Sequence, residues 1–163
     1  MNSDENIDSS NECILISEDG KQFTIDRRLL RKIGLFTFMA DEVDVSVFPV
    51  HAVTSNILAR VIEYLNLHRE DDEDTSGYVA YSDIQSPMDR AFFNSLDLNT
   101  LIELTKAANY LNMEAFLEEC CKAVAGHMRG LSTEQLRQKF NIVNDFTPEE
   151  EEQLRRETAW CFD

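Results

Sequence analysis

Basic residues are scarce: 15 lysines and arginines stand against 31 aspartates and glutamates, a net charge of −16. A surface of that sign repels phosphate backbones and anionic lipid, so neither nucleic acid nor a membrane is expected as partner. Neutral or basic protein surfaces are left. Glycine is also short, at five residues, too few for a cofactor cradle. No glycine-rich phosphate loop, G-x-S-x-G elbow or H-E-x-x-H motif occurs. The four cysteines (Cys13, Cys120, Cys121, Cys161) form no C-x-x-C pair, and His51, His68 and His127 add no ligand pattern. No metal is expected, and the cysteines read as reduced, buried, apolar side chains. No apolar run is long enough to cross a bilayer and no charged-then-apolar leader opens the chain, so a cytoplasmic and nuclear protein is expected. No catalytic residue and no cofactor can be named. A binding module is favoured over an enzyme.

What is there begins after a polar, aperiodic stretch, residues 1–11, read as disordered. Cys13–Ile16 and Gln22–Ile25 read as strands, with Glu18-Asp19-Gly20 as the hairpin turn. Asp26 can cap a short helix carrying Leu29, Leu30 and Ile33 and ended by Gly34. Arg27, Arg28, Arg31 and Lys32 form a basic face on it, read as solvated, with an acidic partner as the other reading. Val43, Val45 and Val47 alternate with polar residues up to Pro49, which suits an edge strand. Thr54 opens a helix with Ile57, Leu58, Val61, Ile62 and Leu65 at helical spacing.

Residues 69–86 lose all period and include five consecutive acids, Glu70 to Asp74. A break of this length is a flexible or functional loop. Asp72, Asp74, Ser76, Gly77, Val79 and Asp83 match part of a calcium-loop template. The last ligand is Asp where a bidentate Glu is needed, Ala80 cannot contribute, and no good helix follows at once, so a solvated acidic loop is preferred. Beyond Pro87 the pattern is helical throughout. Phe92 and Phe93 anchor a short segment, Leu101, Leu104, Ala108 and Leu111 form one face, and Met113 to Met128 is the clearest helix. Ser132 with Gln135, and Thr147 with Glu150, are capping boxes, the second with Pro148 at the first helical position. Glu151–Arg155 and Glu152–Arg156 stand at the favourable i, i+4 spacing. The last helix has few apolar residues, Leu154 and then Ala159, Trp160 and Cys161. It is well started and poorly supplied with surface to bury.

Ala107-Ala108-Asn109-Tyr110-Leu111, Phe140-Asn141-Ile142, Asn144-Asp145-Phe146-Thr147, the acids Glu149 to Glu152 and Trp160-Cys161 together resemble the Skp family of F-box adaptors. These are the adaptor subunits of SCF (Skp–cullin–F-box) ubiquitin ligases. The similarity spans roughly Cys13 to Cys161, and the C-terminal motif is the more specific part. It implies an α+β, mainly helical chain: a BTB/POZ fold over residues 12–128 and a C-terminal two-helix, F-box-binding extension over residues 129–163. Carried over by position, Asn109 and Tyr110 would meet a cullin. Leu101, Thr105, Cys120, Phe140, Ile142, Trp160 and Cys161 would serve the F-box groove.

Departures from the family pattern are specific. Family members usually carry apolar residues where Thr105 and Lys106 stand, and a tryptophan near the place of Met88. The segment from Pro49 to Ile57 is about two residues longer than usual. The function implied is a non-catalytic adaptor joining a cullin to F-box receptors. The alternative is a self-associating BTB-like structural subunit, and weak homodimerisation of the unpartnered chain stays open.

Overall fold

The computed structural model describes residues 11–39, 45–70 and 86–161. Residues 1–10 of the expected disordered N-terminus, most of the acidic loop with its calcium-template residues, and Val43 lie outside the described residues. Residues through His127 form one compact unit and those from Met128 a second.

The first unit is built on a three-stranded sheet ordered β2-β1-β3. Strands β1 (Glu12–Ile16) and β2 (Gln22–Asp26) pair antiparallel, with Cys13 opposite Ile25 and Leu15 opposite Phe23. Gly20, at φ +78°, takes the left-handed turn position that other residues resist. β3 (Val47–Pro49) adds parallel to β1, Leu15 opposite Phe48, as an edge ending at the proline. Alternation sends Cys13, Leu15, Ile25 and Phe48 to the buried face.

The crossover from β2 to β3 holds two 3-10 turns, Arg27–Lys32 and Gly34–Met39. The first is capped by Asp26, whose carboxylate accepts from the Arg28 amide at 3.0 Å. The expected helix is thus a tight turn, because its six residues must bury Leu29 and Leu30 and then reverse. Gly34 does not stop it by adopting a left-handed conformation. A Cβ there would lie 2.3 Å from the Asn112 carbonyl oxygen, so glycine is required by close backbone approach. The basic face is only partly solvated. Arg27 donates to the Val45 carbonyl at 2.6 Å, Lys32 to the His68 carbonyl, and Arg28 pairs with Asp26.

Helix α1 (Ser55–Leu67) follows Val50 and Val53, both buried, with His51, Ala52 and Thr54 exposed between and after them. α2 (Pro87–Asn94) starts at Ser86, whose hydroxyl accepts from the Asp89 amide and donates to the Asp89 carboxylate at 2.6 Å. Asp89, buried, also meets His68 Nε2 at 2.8 Å, joining the end of α1 to the start of α2. Tyr64 stacks on Phe116 with centroids 4.1 Å apart and packs beside Phe92 and Phe93. These two phenylalanines do the anchoring, while Met88 stands largely exposed. α3 (Leu98–Tyr110), capped by Asp97, and α4 (Glu114–Met128) close the unit.

In the second unit, α5 (Thr133–Lys139) and α6 (Pro148–Thr158) each open on the expected capping box. The last apolar residues form a separate 3-10 turn, Ala159–Cys161. The Glu152–Arg156 pair forms at 3.2 Å, whereas Glu151 meets Arg137 of α5 at 3.4 Å. None of the described residues of α5, α6 or that last turn is buried. Among the described residues, no helix is long and apolar enough to cross a membrane.

Candidate partner-binding surfaces

Two helix ends of the same kind aim the candidate residues. α3 ends at Leu111, and Asn112 takes the left-handed conformation at φ +54°. The Met113 amide then reaches back to the Ala108 carbonyl at 3.0 Å and the Asn112 amide to Asn109 at 3.1 Å. α5 ends in the same way at Phe140 and Asn141 (φ +54°), with Ile142 bonding to Arg137 at 2.8 Å and Asn141 to Gln138 at 3.4 Å. Both are Schellman ends with asparagine in the place glycine usually takes. This geometry leaves Asn109 and Tyr110 exposed on the last turn of α3 while Ala107, Ala108 and Leu111 go into the core.

Beside them, α3 and α4 enclose a groove of about 460 Å³. Its apolar wall is Ile102, Leu117, Cys121 and Val124, and its polar edge is Thr105, Lys106 and Asn109. The structure therefore brings together Thr105, assigned above to the F-box, and Asn109, assigned to the cullin. Thr105 is half-buried, and its hydroxyl donates to the Leu101 carbonyl at 2.8 Å. With its hydrogen bond made inside the helix, Thr105 approximates valine to a ligand.

Leu101 and Cys120 are placed differently from a contact role. Each is no more than 1% exposed within the core cluster, and neither lines the groove. Burial pushes the Cys120 thiol up to about 12 and the Cys13 thiol to about 11. Cys121 and Cys161 are exposed, against the expectation that all four cysteines are buried. Ile102, Leu117, Cys121 and Val124 line the groove although the motif-based assignment gave none of them to a partner. Leu117, Cys121 and Val124 stand at i, i+4, i+7, a stripe one residue out of phase with Met113, Phe116 and Cys120.

In the C-terminal unit, Ile142 lines a second groove of about 470 Å³, edged by Arg137, Asn144, Glu151 and Arg155. Phe140, Trp160 and Cys161 are outside its lining. Phe140 is half-buried, whereas Ile142, Phe146 and Trp160 are exposed, Trp160 to 78%. The start of α6 is firmly set. The Thr147 amide donates to Glu150 at 2.9 Å, Thr147 Oγ1 accepts from the Glu150 amide at 3.3 Å, and these contacts hold the Glu150 carboxyl below its usual range.

A small mixed sheet under packed helices, with a helical extension of uncovered apolar groups, defines a POZ-type interaction protein. Residues 11–70 match the tetramerisation domain of the Skp1 family and residues 116–161 its dimerisation domain. SKP1-like protein 18 of Arabidopsis thaliana is 40% identical, over 94% of this chain and 98% of that protein. SKP1-like protein 1A of the same plant is 40% identical over 95% and 99%. Suppressor of kinetochore protein 1 of Schizosaccharomyces pombe is 37% identical over 91% and 96%. The chain belongs to the Skp1 family.

Proposed function

We propose that this protein is a non-catalytic adaptor of an SCF-type ubiquitin ligase, joining a cullin to F-box substrate receptors in cytoplasm and nucleus. The observation that carries this reading is the C-terminal unit, whose α5, α6 and final turn bury no described residue yet leave Ile142, Phe146 and Trp160 exposed. Apolar groups around a thin helical unit suit an interface completed by a partner. Family membership supplies the partner class. The adaptor's contribution is positional: a receptor-bound substrate is held near a ubiquitin-loaded enzyme, raising its effective concentration.

The test is reconstitution of purified protein with an F-box domain and a cullin N-terminal domain, followed by size-exclusion chromatography. A ternary peak is expected. A variant ending before Thr147 should keep the cullin and lose the F-box domain. F-box binding undiminished in that variant would remove α6 from the interface, and failure of both partners to bind would sink the reading. A second reading, homotypic assembly, draws on the dimerisation and tetramerisation descriptions of the two matching family domains. Light scattering separates them: a stable homo-oligomer indifferent to F-box domain would favour assembly.

A further inference from the structure

The groove between α3 and α4 has a charge pattern at odds with the chain around it. Acids outnumber bases by 31 to 15 over the whole sequence, yet among the described residues no carboxylate lines this groove and one ammonium does, that of Lys106. We propose that Lys106 is a specificity-determining residue, selecting partner helices that carry a carboxylate beside the apolar side chain seated against Leu117 and Val124. The inference rests on the F-box reading above and deepens it.

Two observations carry it. Thr105, the neighbouring polar group, has its hydroxyl committed to the Leu101 carbonyl at 2.8 Å and does not compete for a ligand acceptor. Lys106 is held by Glu103 at 2.7 Å, a pair three residues apart on the same helix with both side chains more than half exposed. Such a surface pair is weak, so exchange of Glu103 for a partner carboxylate costs little. The exchange also gains, because a docked helix displaces water from the apolar wall and strengthens a charge contact at its edge. Discrimination runs in the opposite direction as well. The surrounding acidic surface favours basic partners in general, while a lysine or arginine placed against Lys106 is repelled.

The probe is one F-box domain in which each solvent-facing helix position is changed in turn to glutamate, glutamine or lysine. Each version is titrated calorimetrically against wild-type protein and against Lys106→Met, at low and high salt. Glutamate at one helical register should tighten binding roughly fivefold over glutamine. That gain should vanish in Lys106→Met and shrink at high salt, and Lys106→Glu should transfer the preference to lysine at the same register. The proposal is overturned if no position favours glutamate in the wild-type protein, or if the preference survives Lys106→Met. An F-box domain that binds the wild type without such a preference leaves the adaptor function standing. One that does not bind at all removes both.

Discussion

Asp19, in the turn between β1 and β2, caps the helix that begins 36 residues later at Ser55. Its carboxylate accepts from the Ser55 amide at 2.7 Å and from the Ser55 hydroxyl at 2.6 Å. Thr54, at the N-cap position, makes no side-chain capping bond. A hairpin turn therefore does what a local cap does elsewhere and ties the sheet to α1.

Those bonds, the Ser55 hydroxyl first, bring the Asp19 carboxyl down to about 2, from an ordinary value near 4. A carboxyl lowered by folding stabilises the native state above its unfolded value, and that contribution is lost as pH falls through the folded value. Asp19→Asn should therefore be less stable than wild type at pH 6, with the difference closing between about pH 4 and pH 2. Urea midpoints of both proteins across that range test it. A gap independent of pH would remove the carboxylate from the cap.

Gly34→Ala should destabilise by about 1–3 kcal/mol, because the new Cβ meets the Asn112 backbone carbonyl, fixed in its left-handed turn. Gly126→Ala, in α4, adds a methyl that meets no neighbouring side chain or other element within 4 Å, and it should stabilise by about 0.5–1 kcal/mol. Chemical denaturation of the pair is the comparison, and equal effects would contradict the close approach at Gly34.

Thr105→Val should bind an F-box domain within about twofold of wild type, since the threonine hydroxyl is already bonded inside α3. Thr105→Glu should weaken binding on the order of tenfold or more, by placing a charge against an apolar wall. Calorimetric titration measures both. A large loss in Thr105→Val would mean that the hydroxyl leaves Leu101 for the partner.

Asn109→Lys combined with Tyr110→Lys should weaken cullin binding at least tenfold and spare F-box binding within a few fold. Both residues are exposed on the last turn of α3, so the fold should tolerate the change. Asn109 also lines the α3–α4 groove, so pull-downs with each partner separately decide the matter. Equal loss of both would mean that the two surfaces are one.

Local chemistry was legible in the sequence wherever a few consecutive residues decide it. Both C-terminal capping boxes, the Glu18–Gly20 turn, the two hairpin strands and the Asp26 cap involve neighbours within a few positions, where backbone bonding needs depend on little else. The phenylalanines of α2 and the stripes of α1, α3 and α4 followed from periodicity, since burial repeats with the helix. Tertiary structure decided what depends on residues distant in sequence. Gly34 is set by Asn112, the cap of α1 by Asp19, and the parallel place of β3 by a crossover that alternation does not encode. It also decided helix phase: Cys120 points into the core and Cys121 into the groove, although an apolar pattern admits both. Adjacent helical residues differ by about 100° in direction, and only packing of the neighbouring helices fixes which of them meets a partner.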